Sequence, residues 1–187
     1  AVLRAVNRLR ASPNNEKARS TLRQAYDLSQ GFHRDEIGQL TASAVPFRWE
    51  GVARSYDQLN RLADEIRRCP ACLTVVGTPP TYLNEAGEAK NQAAAERYDA
   101  GTRALEAGKT NRPIAREAFQ HFLTAEQLVP NFRDARAKAE EARFYATLKV
   151  VVEQVVVGSR QYNLSNEFFQ NKINEFLATN RRLNEFV

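Results

Sequence analysis

The chain has 187 residues, of which 43% are hydrophobic and 26% charged. These are values of a globular chain long enough for one domain and part of a second, and they exclude disorder over most of the length. The 27 basic residues exceed the 22 acidic ones by a net charge of +5, but they form no block longer than short pairs such as Arg67–Arg68 and Arg181–Arg182, with no interleaved aromatics. A nucleic-acid partner is therefore not expected.

From Ala1 to about Arg10 the apolar residues Val2, Val6 and Leu9 mark one face of a helix. Ser12-Pro13-Asn14-Asn15 is a turn. A second helix from about Glu16 carries Ala18, Leu22, Ala25 and Tyr26 and is expected to reach Leu28, with a further helical stretch over His33 to Thr41. Gly31 and Gly38 blur the boundaries there. Pro46 is expected near the first position of a helix from about Phe47 to Arg68. That helix is strongly amphipathic through Trp49, Val52, Tyr56, Leu59, Leu62, Ala63 and Ile66.

Cys69-Pro70 is expected to end it, and Leu73 to Pro80 to be a loop. The next helices span about Thr81 to Ala107, Pro113 to Val129 and Arg133 to Ala146. Gly108 reads as a C-terminal cap and Pro130-Asn131 as a turn. Beyond Lys149 the texture changes. Lys149 to Val157 is rich in valine and reads as a strand, while Ser165 reads as the N-cap of a helix to about Thr179. That helix is expected to bury Phe168, Phe169, Ile173, Phe176 and Leu177. Leu183 to Val187 reads as the start of a second strand.

No run approaches the ~18 apolar residues of a membrane-crossing helix. The opening residues already read as mid-helix and the last ones as the start of a strand. The chain is accordingly expected to be an ordered piece of a longer polypeptide. Any leader or lipid anchor, and with it any membrane association, would lie outside it.

Two segments echo one another. Pro13-Asn14-Asn15-Glu16-Lys17-Ala18-Arg19 parallels Pro130-Asn131-Phe132-Arg133-Asp134-Ala135-Arg136, each following one helix and opening another. The best single unit is 94–130, with Tyr98, Gly101 and Leu105 on its first helix and Ala118, Phe122, Ala125 and Pro130 on and after its second. This resembles the tetratricopeptide-repeat (TPR) family, in which a small residue, an aromatic, a small residue and a terminal proline recur at those intervals. Small residues let the paired helices approach, and the aromatic fills the gap between repeats.

The chain departs from that pattern by about five extra residues, Lys109 to Pro113, between the two helices. Weaker echoes lie at Val52, Tyr56 and Leu59, and at Leu22 and Tyr26. The resemblance covers roughly 1–146. It implies a mainly α fold, an antiparallel helix-pair solenoid, followed over 147–187 by the start of a truncated α/β (β-α-β) domain.

It further implies a non-enzymatic protein-protein interaction scaffold, with Arg97, Arg116 and His121 as a candidate partner-binding surface and a protein segment as partner. More loosely, helical repeats followed by a small α/β domain are similar to bacterial cell-envelope lipoproteins. That likeness implies an accessory subunit in the periplasm or at the outer membrane, with the cytoplasm as the alternative. The competing reading places ligand binding or catalysis in the C-terminal α/β segment, around the polar run Arg160 to Asn166 between strand and helix.

Cys69-Pro70-Ala71-Cys72 is a CxxC pair, which can be a local disulfide, a redox site or half a zinc site. Redox pairs sit at helix N-termini, where the dipole lowers a thiol pKa. The spacing puts this pair at a helix C-terminus, so a local disulfide or two inert thiols come first. A disulfide would fit an extracytoplasmic compartment. Only His33 and His121 could add imidazole ligands, and no metal, cofactor or catalytic residue is expected. Trp49, Tyr56, Tyr82 and Tyr98 could line a concave face or fill the packing between repeats.

Overall fold

The computed structural model describes residues 1–148 and 166–179. The described residues form eight helices and no strand: α1 (Val2–Ala11), α2 (Glu16–Ala42), α3 (Arg48–Arg67), α4 (Pro70–Val76), α5 (Leu83–Gly108), α6 (Arg112–Leu128), α7 (Ala135–Ala146) and α8 (Asn166–Thr179). The fold is mainly α. The two expected strands, 149–157 and 183–187, lie outside the described residues.

The chain divides into two compact units, Ala1–Asp99 with Thr124–Phe132, and Ala100–Leu123 with Arg133–Val187. In the first unit α1 to α4 share a core. Val2, Val6 and Leu9 of α1 meet Leu22 and Tyr26 of α2, Leu62 and Ile66 of α3, and Cys72 and Val75 of α4. Fully burying an aliphatic side chain of this size stabilises by roughly 1.5–3 kcal/mol, so this cluster holds the unit together. A smaller cluster of Val52, Ala53 and Ala89 gathers Ile37, Leu40, Trp49 and Tyr56 around it. Trp49 and Tyr56 are thus packing residues.

α2 is one helix of 27 residues, not the two expected. Asn15 caps it, its Oδ1 accepting from the Ala18 N–H at 2.9 Å. Its inward stripe runs without a break through Ala18, Leu22, Tyr26, Gln30, His33, Ile37 and Leu40, at steps of three and four. Gly31 and Gly38 fall on the other side, so neither interrupts the packed face.

α3 begins two residues later than Pro46 suggested. Phe47 precedes it with φ +60°, in the left-handed region that suits glycine. Inside α3, Gly51 lies under Leu40 of α2, whose Cδ1 would have to move aside for a β-carbon 2.6 Å away.

While 77–80 is non-helical as expected, the first part of the expected loop, 73–76, instead belongs to the short helix α4. Pro70 occupies its first position, where the missing N–H costs nothing. Proline after Cys69 therefore starts a helix as well as following one. The connection to α5 is pinned from α3: Asn60 Oδ1 accepts from the Tyr82 N–H at 2.7 Å, and Asn60 Nδ2 donates to the Tyr82 carbonyl at 3.1 Å.

In the second unit Gly101 of α5 lies against Phe122 of α6, and Gly108 lies against the Ala115 backbone. Gly108 is the last residue of α5 and has no positive φ, so it is a packing residue and not a left-handed cap. α7 buries an alanine stripe, Ala135, Ala139, Ala142 and Ala146. On α8, Phe168 and Phe176 are exposed, contrary to the expected burial, and Ile173 is half-buried.

Candidate functional site

Sγ of Cys69 is bonded to Sγ of Cys72. The pair stands at the N-terminus of α4 as well as after α3, which corrects the placement expected from spacing. Cys69 is the N-cap residue, and its sulfur accepts from the Cys72 N–H at 3.2 Å. Both cysteines are buried within the α1–α4 core, at 1% and 0% exposure. An attacking thiolate has to reach a sulfur along the S–S axis, and this burial withholds both sulfurs from one. The pair closes the first turn of α4 and fixes its start within the core.

A shallow cleft of about 470 Å³ opens above it, lined by Leu9, Arg10, Pro13, Arg19, Pro70 and Thr74 among others. Arg10 is committed there to Glu65, meeting its carboxylate at 2.8 Å and its carbonyl at 3.0 Å.

Most of the repeat-defining residues are packing residues. Ala118, Phe122 and Ala125 are fully buried on α6, Gly101 faces the Phe122 ring, and Pro130 is exposed after the helix. Tyr98 is half-buried and meets Phe132 edge-on, with centroids 6.0 Å apart. Spacing was the signal for all of them.

The three candidate partner-binding residues are not brought into one patch by any single element. Arg97 belongs to the first unit. Its Nε donates to Glu50 Oε1, and its guanidinium lies 3.8 Å from the Phe47 ring centroid. That arrangement holds the left-handed turn at Phe47 and leaves the side chain only 22% exposed. Arg116 is exposed and His121 half-buried on α6 in the second unit. Five residues apart on one helix, they point about 140° from one another.

His33 acquires a neighbour that no motif reveals. Its Nδ1 is 3.6 Å from Glu36 Oε2, which also accepts from the buried Ser55 hydroxyl of α3. Because serine donates to the glutamate and not to the imidazole, the trio joins two helices and does not activate a nucleophile. A tyrosine group lies further along: Arg34 donates to the Tyr82 hydroxyl at 2.8 Å, and the Tyr56 and Tyr82 rings meet at a tilt of 38° with centroids 5.7 Å apart. Burial raises the pKa of both Tyr26 and Tyr56 above the ordinary tyrosine value. Among the described residues no group of three or more His, Cys, Asp or Glu could hold a metal ion, and no helix is long and apolar enough to cross a membrane.

What the sequence reading missed is the outward face of α2. Leu28 and Phe32, one turn apart, are 75% and 63% exposed. Both belong to a helix whose opposite face is anchored in the core, so their exposure is fixed by the fold. The only signal for them was apolar residues off the inward stripe, which a reading of amphipathicity discards.

No protein-family model matches the chain, and comparison with curated proteins and with solved structures returns no match.

Proposed function

We propose that this chain is a non-enzymatic protein-protein interaction scaffold, an accessory subunit of a larger cell-envelope assembly. The observation that carries the reading is the pair Leu28 and Phe32, held outward on α2. Large apolar side chains presented side by side on a rigid element mark an interaction surface. The TPR-like arrangement of helix pairs is part of the same proposal. It is supported by the Gly101–Phe122 and Gly108–Ala115 approaches of α5 and α6, where small residues admit close helix packing as the repeat pattern requires. The envelope location is supported by the Cys69–Cys72 bond, since disulfides persist in oxidising compartments.

The test is affinity capture of the full native polypeptide with chemical crosslinking. A stoichiometric protein partner is the expected result. A monomer that crosslinks to nothing at native abundance overturns the scaffold. Free-thiol titration without reductant tests the compartment, because two free thiols in the native protein remove its support.

A further inference from the structure

Deepening the scaffold reading and resting on it, we infer that the outward face of α2 is the seat of a basic amphipathic helix, whose apolar seam covers Leu28 and Phe32. Between Asp27 and Gly38 the face is built from Asp27, Leu28, Gly31, Phe32, Asp35 and Gly38, all exposed. At 100° per residue they occupy an arc of about 140°.

The glycines are the first argument for a helical occupant. Glycine is the poorest helix former after proline, and α2 carries two within it. Gly51, Gly101 and Gly108 each have a reason inside the chain, because a β-carbon there would meet another residue at 2.6–2.9 Å. A β-carbon at Gly31 or Gly38 would meet nothing within 4 Å. Neither has a positive φ that demands glycine. The chain thus gives up helix propensity at Gly31 and Gly38, as it does at Gly87 of α5, with no return from packing among the described residues, and on α2 the two glycines share a face with the exposed Leu28 and Phe32. A return exists if another backbone crosses there, since the smallest residues, glycine above all, let a helix approach most closely. Leu28 and Phe32 then fill the grooves beside the crossing.

Charge selects the occupant. Asp27 and Asp35 flank the apolar pair about 12 Å apart along the axis. Neither pairs with a cation among the described residues, in a chain whose net charge is +5. The nearby Arg34 is committed to the Tyr82 hydroxyl. A partner helix with lysine or arginine about two turns apart, on either side of an apolar seam, neutralises both carboxylates. A second copy of this chain does not, because an antiparallel crossing centred on Gly31 sets Asp27 of each copy against Asp35 of the other. An anionic membrane surface meets the same two carboxylates and is repelled.

The experiment uses the full chain and a fluorescent Leu/Lys amphipathic peptide of about 18 residues, long enough to form a helix on binding. A Leu/Glu peptide of the same pattern and anionic lipid vesicles serve as comparison probes, with sedimentation equilibrium to report self-association. Saturable one-to-one binding of the Leu/Lys peptide is expected, with no binding of the other probes. L28S/F32S should weaken it more than tenfold with unchanged helix content, since both side chains are exposed. D27N/D35N should weaken it and flatten its salt dependence.

The glycine variant supplies a readout that surface stickiness would not give: G31A/G38A should raise the melting temperature and yet weaken binding. Equal binding of both peptides overturns the proposal. So does Leu/Lys binding indifferent to L28S/F32S, vesicle binding through this face, or self-association abolished by L28S/F32S. In native capture, a stoichiometric partner retained by L28S/F32S refutes this face and leaves the scaffold standing. The absence of any partner refutes the scaffold itself.

Discussion

Replacing Gly101 by alanine is expected to destabilise the protein, although alanine is the better helix former. A β-carbon at 101 would stand 2.9 Å from Phe122 Cε1 and 3.0 Å from its Cδ1 and Cζ. Carbon atoms rest comfortably about 3.5–4.0 Å apart, so the ring has to retreat by roughly half an ångström or more. Phe122 is fully buried and has no solvent to retreat into. Overpacking of this kind costs about 1–3 kcal/mol, against a propensity gain of about 1 kcal/mol. The net is a loss centred near ~1 kcal/mol.

Gly108→Ala should be worse, because its β-carbon would lie 2.7 Å from the Ala115 Cα and 2.8 Å from its nitrogen. Backbone atoms cannot rotate aside as a ring can. Gly31→Ala meets nothing within 4 Å and should keep the whole propensity gain of about 1 kcal/mol. The expected order of stability is therefore Gly31→Ala, the native chain, Gly101→Ala, Gly108→Ala. Urea unfolding followed by helix circular dichroism measures it. Phe122→Ala costs about 3–5 kcal/mol alone. It should cost at least ~0.5 kcal/mol less in the Gly101→Ala background, where the added methyl occupies part of the hole. If all three glycine variants move the midpoint upward together, propensity alone governs these sites and the close approach is refuted.

Three further outcomes follow from the same structure. Cys69→Ser with Cys72→Ser removes a very short crosslink, which the chain-entropy relation values at about 2 kcal/mol, and should lower the urea midpoint. With both sulfurs buried, thiols of the intact protein should appear under reductant only as fast as the first unit opens, and much faster in denaturant. Asn60→Ala orphans the Tyr82 N–H and carbonyl it now serves. It should cost roughly 1–3 kcal/mol and speed amide exchange at Tyr82. Tyr26 has its pKa raised, by burial first and then by the neighbouring Tyr82. The stabilisation linked to that shift is complete below the unfolded value of about 10. It is lost as pH rises through the higher folded value, because the unfolded chain releases its proton first. Tyr26→Phe should flatten this alkaline limb in pH-dependent unfolding.

Most helices were legible because one physical signal, the apolar stripe, dominates them. α1, α3, α5, α6 and α7 fall within a few residues of their expected spans. The departures come from residues with two meanings. Pro70 can end the preceding helix or open the next, and only the placement of Cys72 and Val75 in the α1–α4 core decides for opening. Gly31 and Gly38 suggest a break until the inward stripe is followed past them. Phe168 and Phe176 follow a buried pattern and yet stand exposed, since period reports which residues share a face and not what that face meets. For the site, the CxxC pair was visible and its pairing was not. Arg97 looked like a surface residue because Phe47, its ring partner, is fifty positions away in the chain.

The basic excess also has a meaning that composition conceals. Three arginines donate to backbone carbonyls at helix ends in the first unit, Arg10 to Glu65, Arg23 to Val75 and Arg48 to Ser43, while Arg67 donates to Pro79 in the connection before α5. Glu65 lies in the last turn of α3, Val75 in that of α4, and Ser43 is the C-cap of α2. These are the carbonyls a helix cannot satisfy internally, at the end where its dipole is negative. α2 and α4 have no basic residue in their own last turns, so neighbouring segments supply it. Guanidinium suits the task, since its forked donors reach a carbonyl while staying charged. These arginines are thereby spent on closing helix ends and are not available to an anionic polymer. Asp27 and Asp35 on the outward face of α2 pair with no cation among the described residues, and a cationic partner crossing that face would neutralise them.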